Sequence, residues 1–202
     1  MTVGDLVFLA SVLFVVTLCL RVAISVMRRR WKTAGRLGRL LAWFAAIYTL
    51  VLISVGLLMP RRVYVPGARR CFDDWCASAI EARPSNVPGG CNWMVTIEIS
   101  SDAKRVRQRA RDARAEVEDQ RGTRYQPCGP PLARGAEPAR ALSDELGPGE
   151  SFDVVLAFRL PAGRTPAGLV LHHGDFPGVV IIGADQSLLH PPGLQPFPRE
   201  AR

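Results

Sequence analysis

The chain has 202 residues, with 26 Lys and Arg against 18 Asp and Glu, a formal net charge of +8. Residues 1–59 hold seven of the basic groups and one acid, Asp5, so residues 60–202 carry 19 basic and 17 acidic groups, a net of only +2. The basic balance is therefore not the footprint of a nucleic-acid-binding domain, which needs a basic face on the folded body, and the chain divides into an apolar N-terminal part and a soluble remainder.

The first predicted element lies in residues 1–27. Residues 6–20 are apolar or small, Arg21 interrupts, and VAISVM follows. Taken as residues 6–27, this is a transmembrane helix of 22 residues with one internal charge. Arg21 is less than two turns from the end at Met27, close enough for its guanidinium to snorkel to headgroups. A cleaved signal peptide fits less well, because no positive residue precedes the run and no small-residue cleavage site follows it. An interfacial helix is disfavoured by a run apolar all round. Residues 28–39 read as a basic loop, with Arg28, Arg29, Arg30, Lys32, Arg36 and Arg39 and no acid. The second span is residues 40–59, LLAWFAAIYTLVLISVGLLM, 20 residues without a charge. At about 1.5 Å per residue it covers about 30 Å, the hydrocarbon thickness of a bilayer. Pro60, Arg61 and Arg62 stop it, and Trp43 stands near its start, where an aromatic belt residue belongs.

The positive-inside rule places the 28–39 loop in the cytoplasm and both termini outside. Arg61, Arg62, Arg69 and Arg70 after the second span pull the other way, four against six. The expected location is a multi-pass cell-membrane protein with an extracytoplasmic C-terminal domain.

Residues 60–190 have the periodicity of strands separated by turn residues. Residues 75–80 are a short strand candidate closed by RPSNVPGG. Residues 92–100, NWMVTIEIS, alternate, with Trp93, Val95, Ile97 and Ile99 on one face and Met94, Thr96 and Glu98 on the other. Residues 113–118 form a weaker candidate followed by the turn QRGTRY. Residues 152–160 alternate again, with Phe152, Val154, Leu156, Phe158 and Leu160 inward. Residues 168–171 and 179–182 read as the last strands. Several short strands over about 130 residues predict a two-sheet sandwich. Within it, Lys104, Arg105, Arg107, Arg109 and Arg111 make a basic stretch, read either as a solvated segment or as a contact to an anionic surface of lipid headgroups or envelope polymer. Residues 129–148, rich in Pro, Gly and Ala, read as a long loop. Residues 191–202 read as a weakly ordered Pro-rich tail.

There are five cysteines. Cys19 falls in the first span and reads as a packing residue. Cys71, Cys76, Cys91 and Cys128 all fall in the soluble part, an even set that suggests two disulfides in an oxidising compartment. Of the three possible pairings, Cys71–Cys76 with Cys91–Cys128 is preferred; the alternative to disulfides is free thiols in a cytosolic domain. The C-x4-C spacing and the two isolated cysteines fit zinc poorly.

For metal chemistry the best candidates are Asp73 and Asp74. Calcium needs six to eight oxygens, so a second contributor such as Asp175 or Asp185 would be required. The competing reading has one aspartate capping a turn and the other facing water. His172, His173 and Asp175, with His190, are a weaker set, because adjacent histidines on a strand point to opposite faces. No nucleophile elbow, phosphate loop, dinucleotide fingerprint or zincin helix is present. The expectation is a non-catalytic protein without a cofactor.

Phe72, Asp73, Asp74, Trp75 and Cys76 form the motif FDDWC. With LGPGESF at residues 146–152, FRLP at 158–161, DFPG at 175–178 and SLLH at 187–190, it resembles a family of uncharacterised bacterial membrane-anchored proteins. Their extracytoplasmic domain is similar to the immunoglobulin-like sandwich of secreted mycobacterial immunoprotective antigens and related domains of unknown function. The resemblance covers about residues 63–190. It implies a fold and an anchor and no catalytic residue. Physically, Pro148 and Gly149 supply a turn before the strand that starts at Phe152, and Trp75 suits a plug between two sheets.

The sequence thus predicts an all-β immunoglobulin-like sandwich ectodomain preceded by two transmembrane helices. The expected role is a binding or structural module of the cell envelope, its partners the lipid bilayer and an envelope protein or polymer. The alternative is an accessory or sensor subunit of a membrane complex, contacting a partner's acidic groups through Arg21 and the basic loop.

Overall fold

The computed structural model describes residues 3–87, 90–134, 138–173, 179–182 and 187–198. The chain forms two compact units: residues 1–60 with 175–191, and residues 61–174 with 192–202.

The first unit is built on two helices, α1 (Val3–Met27) and α2 (Trp31–Leu58). Both are long and apolar enough to cross a membrane. The turn between them is only three residues long. Arg29 takes φ +52°, and the N–H groups of Arg29 and Arg30 donate to the carbonyls of Val26 and Ser25 at 2.9 and 2.8 Å. This is a Schellman cap with arginine at the left-handed position that glycine usually occupies. The expected loop over residues 28–39 is corrected accordingly: Lys32, Arg36 and Arg39 lie in the first turns of α2. Lys, Arg, Leu and Ala are good helix formers, and charge alone gives the helix no reason to stop.

The helices meet along positions spaced alternately by three and four residues. On α1 these are Phe8, Ser11, Val15, Leu18, Val22 and Ser25; on α2 they are Ala34, Leu37, Leu41, Phe44 and Tyr48. A 3.5-residue period is the spacing expected of a seam between two long packed helices. The rings of Phe14 and Phe44 lie 4.8 Å apart. Counting outward from that contact sets Arg21 level with Leu37, among the basic turns of α2. Away from the seam the apolar side chains are uncovered: Leu13 is 61% exposed, Trp43 69% and Leu50 65%.

Among the described residues the second unit contains eight strands: β1 (Arg70–Phe72), β2 (Trp75–Val87), β3 (Cys91–Ser101), β4 (Arg114–Asp119), β5 (Arg124–Tyr125), β6 (Ser151–Phe158), β7 (Pro166–His172) and β8 (Leu194–Pro196). They form two four-stranded sheets, β1-β2-β3-β6 and β5-β4-β7-β8, with antiparallel neighbours throughout. The inward faces share one core, with Val95, Ile97 and Ile99 of β3 and Val154, Leu156 and Phe158 of β6 against Val117 of β4 and Leu169 and Leu171 of β7. The alternation read in β3 and β6 therefore points the way the sequence predicts.

Val155 and Ala157, on the other face of β6, are buried too. The loop after β5 runs along the free edge of β6, with the N–H groups of Cys128 and Leu132 donating to Ala157 and Val155 at 2.9 and 2.8 Å. That pairing closes an edge that would otherwise be open to another chain.

Arg124 and Tyr125, read as part of the turn QRGTRY, form the short strand β5, and β1 is a further strand that the sequence reading did not assign. Three other elements differ from the sequence expectation. β2 runs through RPSN and ends at Val87, with register shifts at Ala79/Glu81 and Pro84/Val87. β1 pairs with only the first residues of β2, so Pro84 sits on an edge, where its missing N–H is tolerated. Residues 179–182 are turn and bend and belong to the helical unit. A short β-branched apolar run is consistent with a buried strand but equally with any other covered segment. The Pro-rich tail is not loose over residues 194–196: β8 pairs with β7, and Gln195 is 1% exposed. Gly168 makes this possible, since a Cβ there would stand 2.7 Å from the Gln195 carbonyl oxygen. Tyr64 and Arg62 hold the other side, exchanging N–H and C=O bonds of 2.9 Å with Leu194.

Candidate functional site

The FDDWC segment is a tight hairpin. Phe72 pairs with Trp75 and Cys71 with Cys76, so Asp73 and Asp74 are the two loop residues, and Asp73 takes φ +56°. Aspartate tolerates that left-handed conformation better than most side chains. The register sets Cys71 and Cys76 directly opposite each other, and they form a disulfide. Cys91 and Cys128 form the second, tying the start of β3 to the loop that runs along β6. Cys19 is the free cysteine.

Behind the hairpin, Trp75 is buried, with its ring 5.9 Å from Phe72 and 5.1 Å from His173. Buried Arg70 stacks its guanidinium 4.4 Å over Phe72 and donates to the Leu171 carbonyl at 3.2 Å. Asp102 ties the outer side: its N–H donates to the Asp74 carbonyl, and its carboxylate accepts from Arg69 at 2.7 Å. Arg70 and Asp102 are the residues the sequence reading missed here. Nothing local marks them; Asp102 lies 28 residues beyond Asp74 in sequence.

Asp73 and Asp74 are both exposed. Among the described residues, the one group of three or more side chains with metal-ligand geometry is Cys71, Cys76 and Asp102. Its two sulfurs are joined to each other, which removes the thiolates a soft metal would need. Asp175 and Asp185 lie outside the described residues. His172 and His173 diverge as adjacent strand residues should, His172 towards Glu116 at 3.6 Å and His173 to Asp112 at 2.6 Å. His190 belongs to the helical unit.

A second constellation lies at the end of β4. Burial opposes ionisation of Glu118, but hydrogen bonds and charge from Arg61 and Arg124 outweigh it and hold the carboxyl below its usual range. Asp119 is likewise opposed by burial. The N–H groups of Thr123 and Arg121 at 2.9 Å, the Tyr125 hydroxyl at 3.1 Å and Arg164 at 3.0 Å pull it down. A carboxyl with a depressed folded pKa contributes stability that is fully present above its unfolded value, about 4. That contribution is lost as pH falls through the folded value. Resistance to urea should therefore hold steady from about pH 7 to about pH 5 and fall steeply below. Glu118→Gln should lower the plateau and flatten the acid fall; an unchanged slope would contradict this account.

The basic stretch between β3 and β4 is an exposed segment pinned at intervals. Ala103 and Ala110 are buried, and Gln108 and Leu146 exchange both backbone bonds at 2.9 Å. Arg107 reaches Glu145 at 3.3 Å, and Arg109 donates to the Ser143 carbonyl at 3.0 Å. Among the described residues no carboxylate pairs with Lys104, Arg105, Arg111 or Arg114. Arg111 and Arg114 line a groove of about 320 Å³ whose walls include Leu142, Leu156, Pro127 and Gln126. A groove lined by two arginines together with apolar residues suits an anionic group carried on an apolar body. A cavity of about 410 Å³ beside Arg140 and Phe152 is different. There Arg140 is already engaged, 3.8 Å over the Phe152 ring and beside Asp144 and Glu150.

No protein-family model matches the chain, and no curated protein matches it. Among solved structures, it is similar to MPT63, a secreted protein from Mycobacterium tuberculosis, at 15% sequence identity and a TM-score of 0.42, over 57% of this chain and 92% of that one. At that score the likeness carries no weight for function.

Proposed function

We propose that the chain is a membrane-anchored, extracytoplasmic module of the cell envelope that binds or holds a partner and performs no catalysis. The helical hairpin carries this reading. Away from the α1–α2 seam and the stripe of α2 met by Val180 and Leu188, it leaves large apolar side chains uncovered, Leu13, Trp43 and Leu50 among them, as a soluble monomer rarely does. Lipid hydrocarbon covers such a surface at no cost. Arg21 stands level with the basic turns of α2, so the positive charges of both helices gather at one end of the hairpin, the cytoplasmic end by the positive-inside rule. Two disulfides downstream suit an oxidising compartment on the opposite side.

We read the sandwich as immunoglobulin-like. With β1 set aside as an added hairpin strand, β2-β3-β6 and β5-β4-β7-β8 follow the order A-B-E and C′-C-F-G. The FDDWC resemblance to membrane-anchored bacterial proteins with such domains supports the same reading. The unpaired arginines at the β4 groove favour an anionic envelope polymer or an acidic protein face as the partner. The collected charge of Arg21, Lys32, Arg36 and Arg39 favours, as a second reading, an accessory or sensor subunit of a membrane complex.

Thiol labelling of intact cells tests the topology. A membrane-impermeant maleimide should label Gly147→Cys without lysis and Arg36→Cys only after lysis. The reverse pattern would overturn the proposal, as would a full-length chain that stays soluble without detergent.

A further inference from the structure

Residues 179–182 and 187–190 pack on α2 well below its end. The Tyr48 hydroxyl donates to the Val180 carbonyl at 2.7 Å. Tyr48 lies ten residues before Leu58, about 15 Å down the helix axis. Eight residues further along, Gly56 receives the Leu188 backbone so closely that a Cβ would run into the Leu188 carbonyl oxygen. Tyr48 and Gly56 are eight residues apart and lie along one stripe, so the contact extends along two turns of α2.

If α2 crosses the bilayer, which is the reading proposed above and on which this inference rests, that stripe lies within the hydrocarbon layer. We infer that residues 179–182 and 187–190 form a re-entrant element that dips into the bilayer and lies against the outer half of α2, with lipid acyl chains as its partner. Of its eight residues, Val179, Val180, Ile181, Ile182, Leu188 and Leu189 are apolar; the other two are Ser187 and His190, whose Oγ and Nδ1 are buried without a hydrogen-bond partner among the described residues.

Non-helical backbone at membrane depth must find its hydrogen-bond partners within the protein. Here the Leu188 N–H donates to the Val179 carbonyl and the His190 N–H to the Ser187 carbonyl, both at 2.9 Å, while Tyr48 supplies the Val180 carbonyl with a donor from the helix. Leu189 takes φ +64°, a conformation that disfavours a leucine, and holds its side chain 56% exposed. In water that arrangement has nothing to recommend it. In lipid it aims an apolar side chain at acyl chains.

The test is spin-label accessibility on the full chain in phospholipid vesicles, in a Cys19→Ser background. Labels go at Leu189→Cys, at Ile47→Cys as the helix reference and at Arg121→Cys as the aqueous reference. Ile47 is 57% exposed on α2, and Arg121 is exposed in the β4–β5 turn. Leu189 should collide more with oxygen than with a water-soluble nickel chelate, as Ile47 does, and Arg121 should show the inverse ratio. A Leu189 label that behaves like Arg121 while Ile47 stays lipid-like overturns the inference and leaves the membrane reading standing. An Ile47 label that behaves like Arg121 sinks both. Gly56→Leu should invert the Leu189 ratio without moving that of Ile47; an unchanged Leu189 ratio would overturn the packing of the element against α2 and the inference with it.

Discussion

Replacing Cys91 and Cys128 together by alanine should remove about 4 kcal/mol of stability from the sandwich, and replacing Cys71 and Cys76 only about 2 kcal/mol. The difference follows from chain entropy. The first bridge closes a separation of 37 residues and the second a separation of 5. The long bridge also ties the start of β3 to the strand-like segment that seals the β6 edge, so its loss frees a pairing edge as well as the chain. The short bridge spans two residues that hairpin register already sets opposite each other. With domain stabilities of about 5–15 kcal/mol, the first double variant should populate unfolded chain at physiological temperature, and the second should not. Urea unfolding of the two double variants side by side decides it. A Cys71/Cys76 variant that loses as much as the Cys91/Cys128 variant would refute the loop-length argument.

What the sequence made legible was periodicity. Val95, Ile97 and Ile99 alternate, and they face the core. Residues 40–59 lack charge, and all but the capping Met59 are helical. The illegible parts are those that tertiary contacts decide. Lys32 to Arg39 read as loop because charge marks a membrane boundary, but a boundary in solvation is not a boundary in backbone conformation. Residues 194–196 read as tail because proline and glycine dominate there. Their strand exists because Gly168 clears space on β7 and the 62–64 backbone pairs with Leu194.

The candidate sites divide the same way. The aspartates of FDDWC stand out in sequence, but the structure gives them a turn. Glu118 and Asp119 look like ordinary strand-end charges. They are buried because Arg61, 57 residues away, and Arg164, 45 residues away, arrive to meet them. No local pattern announces a partner at that distance.

Trp75→Ala should cost about 3–5 kcal/mol, a large fraction of the domain's stability, whereas Asp73→Asn and Asp74→Asn should each stay within about 0.5 kcal/mol. Trp75 is 2% exposed and fills the space between the hairpin, Phe72 and His173. The two aspartates project into solvent. Trp75→Phe separates volume from hydrogen bonding. Among the described residues the indole Nε1 has no partner, so phenylalanine loses volume and ring area but no hydrogen bond. Its cost should be about 1–2 kcal/mol. Near-UV circular dichroism through a urea series reads all four variants, with Trp93 of β3 as the remaining reporter in the sandwich. If the aspartate variants proved as damaging as Trp75→Ala, the carboxylates and not the indole would hold the hairpin in place. The packing of Trp75 and the exposure of both carboxylates point to the opposite division of labour: the aromatic residue holds the fold, and the acids serve the turn.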